Sequence, residues 1–350
     1  MKNLDGTSQI GGTTPINDNQ SSSAETVPRA KKFISKRRLV FLLKLLITSL
    51  VMMMLVKNLN LSNIVSTFRE ANNFYIYLAF FLVIPNIYIQ YYKWKFLLKL
   101  VKPNVTKKES LYSLLVGFTF GFITPGRVGE FGRAFFIKDC SWVKLMGLAF
   151  IDKFFSLSIV IFVCAVGLLS LIASQLHFYA FLPILLFTMS ALLILRYILI
   201  HPELFKNFLY RINILLPFRE KIKLLSSSFD NFHKQQALKL LGFSFIFYLI
   251  FFTQFYLAAL AFELVSVLDV FKAVSSTLLV KSMLPISLGD LGIRESAAVL
   301  FFTKIGANST TAFNASILIF TINILFPSLL GLVVVLKNRL INLYDSSPSN

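Results

Sequence analysis

Apolar residues in this 350-residue chain fall into long unbroken runs, without the polar face that a water-facing helix or strand requires. The runs predict full membrane spans at about 39–57, 74–98, 146–174, 178–200, 238–262 and 312–336. Two further apolar stretches, 110–124 and 270–284, are shorter. Each runs straight into a polar segment dense in Gly, Pro and charge, and apolar sequence resumes at 134–137 and 297–302. Such an interrupted stretch suits a re-entrant hairpin, whose opened backbone is tolerated at membrane depth only where protein or water satisfies it. The alternative is that both halves of each hairpin are tilted full crossings, up to ten in all.

The expected fold class is all-α: a polytopic membrane protein of about six full spans plus two re-entrant hairpins in two inverted halves. Composition points the same way. With 56% hydrophobic and 15% charged residues and a mean hydropathy of +0.72, the chain is far too apolar for a soluble globule. Residues 1–30 are rich in Ser, Thr, Asn and Gly, cannot bury enough apolar surface to order, and are read as a disordered cytoplasmic tail. A transmembrane domain over 31–340 and a short tail at 341–350 complete the organisation. The basic run Lys31 to Arg38 abuts the first span, which reads as an uncleaved span rather than a removed signal.

The formal net charge of +19 is distributed unevenly. With six spans and two hairpins, one set of loops holds the Lys31 to Arg38 cluster, Lys93 to Lys108, Lys206 to Lys239, and Lys337 with Arg339. The opposite set holds only Lys57, Arg69 and Lys272. Cytoplasmic loops carry the Lys and Arg excess, so both termini are expected in the cytoplasm, with the plasma membrane as the location. Topology and anionic lipid head groups account for the charge without nucleic acid. The same scheme divides the domain into halves 39–174 and 178–336 of opposite orientation, the inverted-repeat plan of many transporters. Between them, 201–237 reads either as a basic amphipathic helix on the inner leaflet or as an ordinary linker.

The two polar segments hold the candidate chemistry. In the first, Arg127 and Arg133 offer guanidinium forks for a phosphate, Gly126 and Gly129 allow the backbone to approach an anion, and Glu130 can pair with an arginine in the empty state. The second repeats the combination in Ser287, Gly289, Asp290, Gly292, Arg294 and Glu295, with Arg294 near the start of a half-helix whose dipole favours anions. Charges at membrane depth cost roughly 2.5 to 3.5 kcal/mol each, so they normally face a protein interior or a wet cavity. The alternative is that these charges only neutralise one another to stabilise the hairpins. Cys140, Cys164, His177, His201 and His233 are isolated in sequence, so no metal site and no cofactor are proposed.

The runs Ile123-Thr-Pro-Gly-Arg-Val-Gly-Glu-Phe-Gly-Arg-Ala134, Leu284-Pro-Ile-Ser-Leu-Gly-Asp-Leu-Gly-Ile-Arg-Glu-Ser-Ala297 and Phe326-Pro-Ser-Leu-Leu-Gly331 resemble the lysylphosphatidylglycerol synthase transmembrane-region family, also called flippase-like or UPF0104 proteins. The resemblance spans about 35–340. It implies an inner-membrane protein related to the module that moves aminoacylated phospholipid between leaflets, without the soluble aminoacyl-transferase domain, so synthase activity is not implied. Three positions depart from the pattern. Asp152-Lys153 stands where a Glu-Arg or Glu-Lys pair is expected, Ser156 replaces an Asp, and Asp290 stands where Gly is expected. Asp152 and Lys153 are therefore candidates for a proton-carrying or structural role.

Three functional classes remain open at this point. The first is binding and translocation of an anionic or phosphate-bearing lipid, either a phospholipid or a polyprenyl phosphate. The second is a scaffold or subunit for a separately encoded glycosyltransferase or lipid-modifying enzyme. The third is a polyprenyl-phosphate transferase using Glu130 or Asp290 as base; no nucleophile, Walker or zinc-protease constellation supports it. The principal partner is an anionic membrane lipid, and a homodimer is admitted.

Overall fold

The structure, a computed structural model, describes residues 36–124, 126–175, 234–284, 287 and 290–345, with isolated positions between 182 and 197. Every regular element among the described residues is helical. Helix α1 (Lys36–Leu59) turns into α2 (Leu61–Arg69) at Asn60, whose φ of 61° breaks the helical path. The pair bends by 76°. Helices α3 (Asn73–Phe81) and α4 (Val83–Lys99) follow, with the Asn72 side chain accepting the Phe74 N–H at the start of α3. Helix α5 (Lys107–Ile123) is started by Thr106, which caps the Glu109 N–H. It is followed by a 3₁₀ segment (Val128–Phe136) and by α6 (Trp142–Gln175). The second part holds α7 (Lys234–Leu260), α8 (Val267–Met283), α9 (Ile293–Lys304), α10 (Ser309–Phe320), a π-helical turn (Thr321–Leu325) and α11 (Phe326–Asp345).

Four of these stretches are long and apolar enough to cross a membrane: Asn73–Lys99, Trp142–Ile172, Lys234–Leu260 and Ser309–Lys337. The bent pair Leu45–Leu59 and Leu61–Arg69 passes the same test only when taken together, as a broken span or a re-entrant loop. They match the spans expected at 39–57, 74–98, 146–174, 238–262 and 312–336. The span expected at 178–200 lies mostly outside the described residues; within it Leu182, Leu186, Met189, Leu193 and Tyr197 are helical and exposed. The tail at 1–30 and almost all of the 201–237 connector also lie outside them. The chain is thus an all-α polytopic membrane protein, and large apolar side chains such as Met53, Phe74, Tyr77, Leu249 and Leu268 cover its outer surface.

The two interrupted stretches form packed pairs. Helix α5 lies against the 3₁₀ segment, and α8 lies against α9. At 17 residues, α5 and α8 each extend about 25 Å, short of the roughly 30 Å hydrocarbon core. Each pair is gripped by a span from the other part of the chain. Gly331 of α11 sits where a Cβ would lie 2.0 Å from the Leu115 carbonyl of α5, and Gly167 of α6 sits where a Cβ would lie 2.1 Å from Ser275 of α8. Without a hydrophobic force between lipid-immersed helices, close backbone approach at small residues is the main source of such packing. Thr119 adds a hydrogen bond from its hydroxyl to the Ser328 carbonyl at 2.8 Å. The exchange brings both polar loops to the middle of the bundle.

Candidate functional site

The first loop is shaped by its own short side chains. Thr124 Oγ1 accepts the Gly129 N–H at 2.5 Å and donates to the Phe120 carbonyl at 2.8 Å, turning the chain back over the end of α5. Gly126 and Arg127 both take positive φ, 62° and 57°. Left-handed backbone is unusual for an arginine, and the 3₁₀ run that follows is long for its kind. Such strained geometry clusters at functional sites. In the second loop Asp290 has φ 65° and Gly292 φ 85°. The glycine that the resemblance leads one to expect at 290 would adopt this conformation freely; aspartate is among the few other residues that visit it.

The two loops touch. The Gly126 N–H donates to the Ser287 carbonyl at 3.3 Å. Around this contact lies a cavity of about 270 Å³ bounded by α4 to α10, the π-helical turn and both loops. Of the residues expected at a site, Gly126, Arg127, Glu130, Arg133, Asp152, Lys153, Asp290 and Arg294 line it. Ser287 joins through its carbonyl, Gly129 and Gly292 shape the turns, and Gly289 lies outside the described residues.

Charges on the wall interlock. Asp152 bridges Lys93 and Arg133 at 2.6 Å each, and Lys93 also donates to Ser156 Oγ at 2.5 Å. Glu130 bridges Arg127, at 2.5 Å, and Lys153. Lys281 pairs with Asp290 at 2.9 Å. The Arg133 guanidinium lies 3.7 Å from the centre of the Trp94 ring, a cation–π contact that fixes its plane. Arg294 and Glu295 are sealed, with side chains 1% and 0% exposed. Arg294 is bound by Glu295 and by Ser316 at 3.0 Å, while Glu295 Oε2 accepts the Gly292 N–H at 2.6 Å and so caps α9.

Two observations define what this wall can hold. Arg127 Nε and Arg133 Nε are buried donors with no acceptor, a costly state for charged groups. Lys93, Arg127, Arg133, Lys153, Lys281 and Arg294 face Glu130, Asp152 and Asp290, and Glu295 balances Arg294 from behind. Six positive charges against four negative leave a formal excess of two. A small anion with several acceptor oxygens offsets that charge.

Lys93, Lys281, Trp94 and a set of amides on the wall do not stand out in the sequence. Lys93 reads there as one of the basic residues flanking a span, yet its side chain is 6% exposed and paired to Asp152. For Lys281 a signal does exist: it is a charge near the end of an apolar stretch, eight uncharged residues beyond Lys272.

The profile of the lysylphosphatidylglycerol synthase TM region matches residues 41–331. The chain belongs to this family. The match takes in all or part of every element from α1 to α11, including both polar loops, so the cavity lies within the family's domain. No curated protein and no solved structure matches the chain.

Proposed function

We propose that the protein holds the phosphate of a membrane lipid in this cavity and carries the lipid between leaflets of the plasma membrane, with both termini in the cytoplasm. The observation that carries the reading is the excess positive charge around a shared cavity that Arg127 and Arg133 both line. Planar guanidinium groups match phosphate oxygens two at a time. At about 270 Å³ the cavity suits a head group and leaves the acyl chains in lipid. The part of its wall made by Leu114, Phe118, Leu157, Val160 and Phe251 is apolar enough to meet their first methylenes. Reciprocal gripping of the two hairpins also fits a rocking exchange between halves.

The test is a leaflet-exchange assay in liposomes holding the purified protein, run over labelled anionic, zwitterionic and isoprenoid-phosphate lipids. Faster exchange of phosphate-bearing lipid, lost in Arg127→Ala, supports transport. Binding without exchange assigns the protein to the scaffold or subunit class, and no binding removes the phosphate reading. Orientation is checked with an impermeant thiol reagent: cysteines at Ser62 and Ser266 react from outside and one at Ser227 does not.

A further inference from the structure

The buried apolar side chains fall into two main sets, one around each hairpin. The first gathers Trp94 of α4, Leu114 of α5, Ala134 of the 3₁₀ segment, Leu148 of α6 and Leu240 of α7. The second gathers Leu171 of α6, Phe255 of α7, Leu278 of α8, Phe302 of α9 and Ile319 of α10. Among the described residues none belongs to both. Helices α6 and α7 run unbroken through the two sets. The other two long spans divide: α3 packs on α7 and α10 on α9, while α4 and α11 pack on α5. The cavity lies between the sets, lined by Leu114 and Asp152 from one and by Leu278 and Lys281 from the other.

Each dividing span is broken at the point of division, and a proline stands just beyond each break. The span Asn73–Lys99 breaks at Leu82, between α3 and α4. Pro85 has no N–H for the Phe81 carbonyl, and restarting the helix at Val83 puts the proline in a first turn, where it is tolerated. The span Ser309–Lys337 breaks at the π-helical turn Thr321–Leu325, where the Phe326 N–H reaches back to the Thr321 carbonyl. Pro327 would crowd the carbonyl four residues earlier, that of Asn323, and the wider turn relieves it.

The two breaks are joined in space. Ala79, Val83, Leu257 and Ile322 form a third, small apolar set around them, and the Phe80 and Phe326 ring centres lie 5.1 Å apart. Gln254 of α7, fully buried, donates to the Ala79 carbonyl at 3.2 Å and accepts from the Asn86 and Asn323 amides at 3.1 Å each. One side chain thus bonds to both flanks of the first break and to the second. Such amide bonds act as glue between helices in lipid.

We infer that the moving units are two hairpin-centred bodies, which tilt against each other at the two proline breaks with Gln254 as the pin and the cavity between them. These bodies cut across the sequence halves, since α11 travels with the first hairpin and the later part of α6 with the second. Well-packed cores resist deformation, so motion collects at the seam between them. Proline and π turns are the usual seats of sharp kinks, and single π turns recur at functional sites. The use of the tilt in carrying lipid rests on the transport reading above; the tilt itself needs no ligand.

Distances between spin labels on paired cysteines, in full-length protein in nanodiscs, test it. Positions 99 with 268 and 337 with 300 lie in different bodies; positions 99 with 337 and 268 with 300 lie within one. All four residues are exposed. A tilt of about 20° moves the end of the 17-residue α4 by about 8 Å, so the cross-body distributions are expected to be several ångströms wider than the within-body ones. In Pro327→Ala, which permits an unbroken helix, they should narrow, and leaflet exchange should slow about tenfold with phosphatidylglycerol binding unchanged within about twofold. Cross-body distributions as narrow as within-body ones overturn the inference, as does equal breadth in all four pairs or a Pro327→Ala protein that matches wild type in both readouts. A wild type that tilts without exchanging lipid refutes the transport reading and leaves the two bodies standing. Where Pro327→Ala does not fold, the wild-type distances decide.

Discussion

The two polar loops use the same residue types to opposite ends. In the first, Arg127 is 23% exposed and its partner Glu130 is shared with Lys153, itself 42% exposed. Its backbone is left-handed, and its Nε is unsatisfied. In the second, Arg294 and Glu295 are almost fully buried and bind each other, Arg294 also donating to Ser316 and Glu295 accepting the Gly292 N–H. The same Gly-x-x-Gly and Arg elements thus make a cavity-lining loop in one place and a buried ion pair in the other. What separates them is exposure: the first loop's charges are partly open to the cavity and the second's pair is shut. The second loop reaches the site through Asp290 and its partner Lys281.

The comparison breaks first if the buried ion pair is not structural. Removing one member of a buried ion pair strands the other, so Glu295→Ala is expected to lower stability by about 3 to 5 kcal/mol. Thermal unfolding in detergent measures it. Replacing the pair together, as Arg294→Met with Glu295→Leu, should cost clearly less, because no charge is stranded. A Glu295→Ala protein as stable as wild type would remove the distinction between the loops.

Arg127 should behave the other way. Arg127→Ala is expected to weaken binding of an anionic lipid by about 10- to 100-fold, the range for charge-assisted hydrogen bonds, with little change in unfolding temperature. Arg127→Lys should be nearly as damaging, since an ammonium lacks the planar fork. Full recovery by lysine would make the residue a point charge only.

The smallest effect is expected at Asp290. Asparagine also tolerates left-handed backbone, so Asp290→Asn removes a negative charge without adding strain. The formal excess around the cavity rises from two to three, and affinity for an anionic lipid should rise by about three- to tenfold. High salt should compress this gain, which separates electrostatics from a change of shape.

Much of the fold is legible in the sequence. The candidate spans and the two interrupted stretches announce themselves because lipid demands unbroken apolar length, and Gly and Pro beside charge mark where that length fails. Arg127, Glu130 and Arg133 stand out as charges with no reason to be in an apolar context. The pairing of charges is not legible in the same way. Nothing in the order Asp290, Arg294, Glu295 says that the last two turn inward to cap α9 while the first reaches Lys281, since that depends on the turn around Gly292. Lys93 is hidden by its neighbours Lys95 and Lys99, which make a helix face look like a loop. Asn323 stands far along the chain from Asn86 and Gln90, and only packing collects these single amides on one wall.

The central claim is that the two loops build one anion site. Binding free energies for an anionic lipid, measured for wild type, Arg127→Ala, Lys281→Ala and the double variant, test it directly. Residues that grip one ligand are coupled, so the double variant is predicted to differ from the sum of the single losses by more than about 0.5 kcal/mol. Additivity within about 0.3 kcal/mol, with all four proteins folded, would contradict a shared site.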